Sequence, residues 1–576
     1  MVKIIGFDTE TVFDGYSYYF YSFQAYSPEL GLKLFSTSPD EIEKVFNRQT
    51  RGAILLMKKM EYDLAVLRKI LPSKQYKMVI TYNKAKPVKA LILRQDLRQR
   101  YVWRVYDLEN LFPLKSLAQI GQLIGCQKLP RPSYLGLRPP QGDDEIKSFK
   151  TYALRDAEIC YRAGKYILDK FNKLRPTLPA LAFWDLTNNY VKGGLFKKWL
   201  VDNAIWLKQF YKGGRVEAFW RGTLTEKVFV YDVNSLYPFV MAHFSYPKFF
   251  VEPKVKSDIN LSREGIAKVK VCVDADIPPL AIRYFTKDKQ LKLVFPSGVF
   301  TGYFTYPELR LIENSGIGKI LKVFKACECK ESYQPFTEFV ETYHKLKNTD
   351  EKNREFWKIY LNSVYGKFGQ SGQIKSYKIL SDGQMKEFQP KIKRPKNKKQ
   401  WIKQNYIISA YITAYARLYM WHQLKKVGFE NVIYTDTDSI ITTKHLHLEK
   451  GGLGQLELKY QTQLDEPSTF IRSKFYILGD VIKCRGLCVP ITAKVLRNMI
   501  AKENTELEIK RLLRLRSAVI SHLKFLTEVA RKFTPSFSED GKRVYLKSLN
   551  GKELINQITN SQPLTLKNAE EVVKRA

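Results

Sequence analysis

The stretch Val432-Ile-Tyr-Thr-Asp436-Thr-Asp438-Ser439 decides how this chain is read, because it sets two carboxylates directly after an apolar run of strand character. Taken alone, an Asp-Thr-Asp is equally well explained as a polar hairpin turn. Far upstream, Phe229-Val-Tyr-Asp232-Val-Asn-Ser-Leu-Tyr237-Pro238 repeats the arrangement, an apolar run that delivers a carboxylate. Strand ends and turns are places where side chains of neighbouring strands converge, so Asp232, Asp436 and Asp438 are candidate ligands of one cation pair. A pair of Mg²⁺ ions held by aspartates stabilises both the attacking and the leaving oxygen of an in-line phosphoryl displacement.

The bulk properties narrow the partners. A chain of 576 residues that is 44% hydrophobic can bury several cores, so two to four domains are expected. Lys and Arg number 96 against 57 Asp and Glu, a formal charge of +39, which points to a polyanion and above all to nucleic acid. The longest apolar stretch, Ile407–Trp421, is interrupted by Arg417 and rich in Tyr, so no membrane segment is expected. Met1–Glu10 reads as a buried strand ending in acids rather than as a signal peptide, and a cytoplasmic location follows as the expectation. The cysteines are odd in number at 7 and contain no Cys-x-x-Cys pair, which argues against a disulfide framework and a zinc ribbon. Cys327 and Cys329 read as ordinary strand residues.

From Val2 to about Lys173, apolar strands alternate with helical stretches, and Asp8, Glu10, Asp63, Asp107 and Asp156 fall at element ends. Pro176, Pro179 and two Gly-Gly pairs mark a junction over 174–215. Its segment Tyr211-Lys-Gly213-Gly214-Arg215 can be a structural turn, or a site where glycines let a ligand approach, Tyr211 packs on a sugar or base and Arg215 meets a phosphate. Strands and turns dominate to about residue 334. The spacing then predicts helices over 335–347 and 351–368, joined by Asn348-Thr-Asp350 into a hairpin. Residues 371–404 form a Gly-, Pro- and Lys-rich insertion, with a strongly basic segment at Lys391–Lys403, read as a DNA-facing hairpin or a mobile loop, with a merely solvated surface loop as the alternative. Helical periodicity returns around 503–533.

On the second predicted helix, Arg354 and Lys358 lie one turn apart and can grip a triphosphate, while Asn362 and Tyr365 offer a polar edge and a flat surface to a base and sugar. The strings Asp232-Val-Asn-Ser-Leu-Tyr237-Pro, Lys358-x-x-x-Asn362-Ser-x-Tyr365-Gly366 and Tyr434-x-Asp436-Thr-Asp438-Ser together resemble motifs A, B and C of family B DNA polymerases, in that order. The resemblance implies that Asp232 and Asp438 are the principal metal ligands with Asp436 beside them. It also implies that Tyr237 excludes a ribose 2′-hydroxyl and that Lys358, helped by Arg354 and Lys347, neutralises the triphosphate. Lys474-Phe-Tyr476 is similar to the family's Lys-x-Tyr primer-terminus motif.

Asp8-Thr-Glu10 places two acids on one face of a strand; Asp63 follows another apolar strand, and Tyr152 and Asp156 stand one helical turn apart. This set resembles the 3′→5′ exonuclease motifs fused to family B polymerases, with Asp8, Glu10, Asp63 and Asp156 as metal ligands and Tyr152 beside them. Lys59 stands where that pattern commonly has Asn.

The resemblance is nearest the protein-primed branch of bacteriophages and linear plasmids, by the short chain, the Tyr-x-Gly-Gly segment and the extra residues near 251–330 and 371–404. It implies an α/β and α+β multidomain fold, a ribonuclease-H-like exonuclease followed by a right-hand polymerase. The expected divisions are exonuclease 1–173, junction 174–215, palm with first insertion 216–334, fingers 335–370, second insertion 371–404, palm 405–480 and thumb 481–576. The implied cofactor is Mg²⁺, two ions per site, with Mn²⁺ able to substitute. Primer-template and single-stranded DNA, deoxynucleoside triphosphates and a terminal protein primer are the implied partners of a strand-displacing monomer. A primer-independent or conventional primer-extending member would carry the same motifs and differ in a de novo synthesis or protein-deoxynucleotidylation assay. A non-catalytic DNA-binding scaffold would have no physical need for Asp232, Asp436 and Asp438 together with Lys358.

Overall fold

The computed structural model describes residues 2–13, 18–72, 74–83, 86–95, 100–191, 195–196, 198–248, 258–329, 331–370, 374–379, 385–388, 404–448, 451–487, 490–503, 506–512 and 528–573. The chain builds an α/β and α+β multidomain fold from several sheets. A nine-stranded sheet leads. In spatial order it runs Met385–Phe388, Ile374–Ile379, Tyr76–Asn83, Lys86–Gln95, Arg100–Asp107, Ile54–Met57, Ile4–Phe13, Tyr18–Ser27 and Leu32–Ser36. Ile54–Met57 lies parallel to both of its neighbours, and the other ladders are antiparallel. The 30-residue helix Gly142–Phe171 packs on the first strand so closely that a Cβ at Gly6 would stand 1.9 Å from the Ala157 carbonyl oxygen.

Met385–Phe388 and Ile374–Ile379 are the outer strands of this sheet, Ile374–Ile379 pairing antiparallel with Tyr76–Asn83. The basic segment Lys391–Lys403 lies outside the described residues.

A five-stranded antiparallel sheet occupies the middle of the chain, ordered Leu456–Gln461, Phe229–Val233, Ser439–Thr442, Val432–Asp436, Val216–Ala218. The helix Tyr406–Val427 is buried around its circumference, and Asn405 caps it by accepting from the N–H groups of Ile407 and Ile408. Its Arg417 is buried with the Glu308 carboxylate 2.8 Å away, which is how a cation survives in that apolar run. Among the described residues, no helix is long and apolar enough to cross a membrane.

The predicted helical hairpin forms from Thr337–Thr349 and Arg354–Asn362, but its second arm stops short of 368. Asn362 and Ser363 turn their side chains onto the carbonyls of Lys358 and Tyr360, and a separate short helix, Tyr365–Phe368, follows. Such side-chain bonds compete with the helical ladder. Phe356, Trp357, Tyr360 and Leu361 form the buried face of Arg354–Asn362, so Arg354 and Lys358 point outward.

The helical reading of 503–533 is overturned at both ends, since Leu507–Leu512 and Glu528–Phe533 are antiparallel strands. Leu507 and Ile509 alternate with Glu508 and Lys510, and that period of two decides the matter. Cys327 and Cys329 are buried residues of the strand Gly318–Cys329, and the six described cysteines are free thiols.

Candidate active sites

The central aspartates are brought together by strand register. Asp232 pairs with Ser439 on one side and Asp436 pairs with the same residue on the other. Thr437 takes a left-handed φ of 65°, turning the chain so that the Asp438 N–H reaches the Asp436 carbonyl at 2.7 Å. The Asp438 carbonyl then accepts from the Val233 N–H at 2.8 Å, which fastens the turn beside Asp232. Burial, and then the Asp438 charge, push the Asp232 carboxyl up to about 6. Burial likewise raises Asp438. Two half-buried acids that resist ionisation side by side suit a divalent cation. The Asp436 carboxylate is gripped by the Lys474 ammonium through both oxygens, so the structure joins Asp232 to Asp438 and ties Asp436 to Lys474. Lys474 sits in a strand turn with φ 63°, where its N–H donates to the Tyr434 hydroxyl at 2.9 Å. The Tyr476 ring lies 4.9 Å from that of Tyr434.

An aromatic platform borders these acids. The rings of Tyr237 and Tyr365 stack at 3.8 Å with 17° between planes. Arg354 and Lys358 are exposed on the adjoining helix, whereas Lys347 is 4% exposed and donates to Asn234 Oδ1 at 2.8 Å and Ser235 Oγ at 3.2 Å. Burial, with the charges of Arg354 and Lys358, pulls the Lys347 ammonium down. Lys347 therefore stands beneath the cationic face and supports the loop after Asp232. Asn362 spends its amide N–H on the Lys358 carbonyl at 2.9 Å.

Arg215 corrects the sequence reading. It is 4% exposed and bonds Glu217 Oε2 at 2.8 Å and the Pro278 carbonyl at 2.9 Å, with the Phe295 ring under its guanidinium, so its side chain is spent inside the fold rather than offered to phosphate. Its backbone serves the site instead, since the Arg215 carbonyl accepts from Thr437 N–H at 2.7 Å. Gly214 lies against the same turn, and a Cβ there would stand 2.8 Å from Thr437 Cγ2. Gly213 is exposed, and the Tyr211 ring packs on Gly369. Lys459 and Glu457, paired at 2.6 Å on the strand next to Asp232, escaped the sequence reading. The alternation Leu456-Glu-Leu-Lys-Tyr460 was their only signal.

The N-terminal acids form a second cluster. One carboxylate oxygen each from Asp8, Glu10 and Asp156 lie within 4.8 Å of one another. Thr9 presents its N–H at 3.1 Å and its hydroxyl at 2.8 Å to Asp63 Oδ1, and Gln24 donates to Asp8 at 2.7 Å. Asp63 Oδ2 and Asp156 Oδ1 are buried with no hydrogen-bond partner, and such orphaned oxygens fit a cation. Burial, then the charges of the neighbouring acids, raise Asp8 well above the carboxylate range, and burial with the Asp156 charge pushes Glu10 up to about 7. Lys128, absent from the sequence reading, binds the other Asp156 oxygen and donates to the Tyr152 hydroxyl at 3.1 Å. Lys59, left-handed at φ 68°, precedes the helix Met60–Ile70 that carries Asp63.

The family model for type B DNA polymerases, organellar and viral, matches residues 155–450, more than half of the chain. The chain belongs to this family. Among relatives of the type B enzymes, a probable DNA polymerase of Neurospora intermedia is 27% identical over 377 residues, 57% of this chain and 38% of its own length. The DNA-directed DNA polymerase of Enterobacteria phage PRD1 is 26% identical over 282 residues, 44% of this chain and 47% of its own. The chain spans less than half the length of these relatives. The fold of Phi29 DNA polymerase in its ternary complex with primer-template DNA and incoming nucleotide superposes with a TM-score of 0.69 at 15% identity, covering 93% of this chain and all of that one.

Proposed function

We propose that this type B polymerase is a DNA-directed DNA polymerase that edits its product by 3′→5′ hydrolysis. The observation that carries the reading is the convergence of Asp232 and Asp438 beside the stacked Tyr237–Tyr365 pair and the exposed Arg354–Lys358 face. In the polymerising site a primer 3′-oxygen attacks the α-phosphorus of a deoxynucleoside triphosphate and pyrophosphate leaves. Asp232 and Asp438, with Asp436, would hold Mg²⁺ or Mn²⁺, two ions that supply Lewis-acid stabilisation of the displaced and attacking oxygens. Arg354 and Lys358 neutralise the triphosphate, and Lys347 fixes the loop at Asn234 and Ser235. The Tyr237 ring, held flat by Tyr365, closes the space that a 2′-hydroxyl would need. Lys474 and Tyr476 hold the primer terminus.

In the second site Asp8, Glu10, Asp63 and Asp156 would hold the metal pair for hydrolysis. Tyr152, positioned by Lys128, orients a water. We assign residues 1–173 to editing, 174–215 to the junction, 216–334 and 405–480 to the palm, 335–370 to the fingers, 371–404 to the second insertion and 481–576 to the thumb. Protein priming and strand displacement complete the reading. The second insertion supports them by reaching across to the edge strand of the N-terminal sheet, as an element that arches over DNA would.

The test is extension of a singly primed circular template with Mg²⁺ and the four deoxynucleotides, comparing wild type with Asp438→Ala. Products much longer than the circle, absent in the variant, are expected. Synthesis that stops after one lap removes strand displacement, and no synthesis removes the polymerase reading.

A further inference from the structure

A cluster of buried charges stands behind the polymerising turn. Glu571 follows the strand Thr565–Glu570, which adds in parallel to Ser297–Thr305. Its carboxylate lies inside the protein, with Arg283 Nη1 at 2.8 Å from Oε1, Lys212 Nζ at 3.1 Å from Oε2 and the Tyr303 N–H at 3.1 Å from Oε2. Lys212 also donates to the carbonyls of Ala281 and Tyr303, each at 2.6 Å, and Arg283 reaches the Gln209 carbonyl at 2.9 Å. Arg417 holds the same loop from the other side, bonding the Lys212 and Gly213 carbonyls at 3.1 and 2.9 Å while Glu308 holds its guanidinium. Residues 209–213 are thus clamped by cations that two buried acids keep in place.

The next residues touch the site. Gly214 lies against Thr437, and the Arg215 carbonyl accepts the Thr437 N–H, between Asp436 and Asp438. A shift of the clamped loop is therefore a shift of the metal-holding turn. Burial pulls the Lys212 ammonium down to about 8, against the opposing pull of Glu571 and Glu308, so this cation depends on its acids. With Glu571 neutral, three buried cations would share one buried carboxylate.

We infer that Glu571 is a positioning residue for polymerisation: through Lys212 and Arg283 it fixes the Gly213–Gly214 backbone that supports the Asp436–Asp438 turn. This rests on reading Asp232 and Asp438 as the polymerising site. No part of the clamp touches the Asp8–Glu10–Asp156 cluster, so the effect should be confined to one activity.

The experiment uses the full chain and the isosteric variant Glu571→Gln, with Glu570→Gln, an exposed neighbour paired to Lys268, as control. The Mg²⁺ midpoint of primer extension should rise, and turnover fall, by about 10- to 100-fold in Glu571→Gln, since misplacement by about 1 Å has that scale of cost. Degradation of single-stranded DNA should stay at the wild-type rate, and Glu570→Gln should match wild type throughout. In an Asp8→Ala/Glu10→Ala background, calorimetric Mn²⁺ binding should weaken with Glu571→Gln, which reads the site without catalysis. If Glu571→Gln does not fold, Glu571→Asp, which withdraws the charge by one methylene, should show the same selective change. Equal midpoints and equal Mn²⁺ affinity overturn the inference, and so does an equal loss of both activities. Wild type that extends no primer overturns the underlying reading and takes the inference with it.

Discussion

Burial and the Asp438 charge raise the cost of ionising Asp232, burial and the Asp436 charge do the same for Asp438, and burial with neighbouring acids governs Asp8 and Glu10 in the N-terminal cluster. The two sets share no residue, so they should fail separately. Asp438→Ala is expected to reduce primer extension by roughly 10³-fold or more, the scale of several kcal/mol of lost transition-state stabilisation, with single-strand degradation intact. Asp8→Ala/Glu10→Ala is expected to do the reverse; loss of both activities in either folded variant would refute the two-site assignment. Acidity gives a further handle. Burial, and then Asp156, lift Glu10 from 4.5 to about 7, so between these values the folded protein keeps a proton that the unfolded chain has released. The stabilising contribution is complete below 4.5 and is lost as pH rises through about 7. Without divalent metal, the melting temperature should fall between about pH 5 and about pH 8, Mg²⁺ should reduce that fall, and Glu10→Gln should make it shallower. An unchanged slope in Glu10→Gln would remove Glu10 from the titration.

At the scale of elements, the Asp436–Asp438 turn is a hairpin tip braced from outside by the Gly214 backbone and the Arg215 carbonyl. Gly214→Ala would bring a methyl within 2.8 Å of Thr437 Cγ2 and 3.2 Å of its Cα, so the turn itself must move. Primer extension should drop by about 10- to 100-fold while single-strand degradation is unaffected, measured side by side on one preparation. Wild-type extension by this variant would show that the turn does not lean on the glycine. The aspartates of this turn were legible because each lies in a short string whose neighbours carry the same message: an apolar strand before, a turn residue after. Lys128 and Glu571 were not legible, because their partners arrive from 28 and 288 residues away and nothing in the flanking sequence marks the meeting. Arg215 was misread on a different ground: a cation beside two glycines suggests a phosphate, and although Glu217 lies two residues on, only the fold turns it and Phe295 onto the guanidinium. The break after Asn362 was hidden by a helical stripe that continues through Tyr365, although Asn362 and Ser363 can each turn back on the helix.

Across the whole molecule, one apolar core joins the N-terminal lobe to the helix that presents Arg354 and Lys358. Phe171 stacks on Tyr360 at 5.1 Å, Phe112 meets Phe356 at 5.8 Å and Tyr166 donates to Asn353 at 2.7 Å. The two acid clusters therefore share a scaffold while standing apart, so the proposed editing and synthesis would communicate through the DNA strand. The proposed DNA partner would meet a chain of formal charge +39, so phosphate contacts by Lys and Arg should dominate affinity. Each neutralised phosphate releases condensed counterions, and a protein contacting about 6 to 10 phosphates loses roughly 10³- to 10⁵-fold in affinity between about 50 and about 200 mM salt. Binding of primer-template duplexes of unrelated sequence should fall along one common line of log affinity against log salt. Asp438→Ala should keep that slope, because it removes a metal ligand rather than a phosphate contact, whereas Lys474→Ala should shift the slope by about one phosphate. Fluorescence anisotropy across a salt series measures all three; a flat line for wild type would mean that the positive charge serves something other than the DNA backbone.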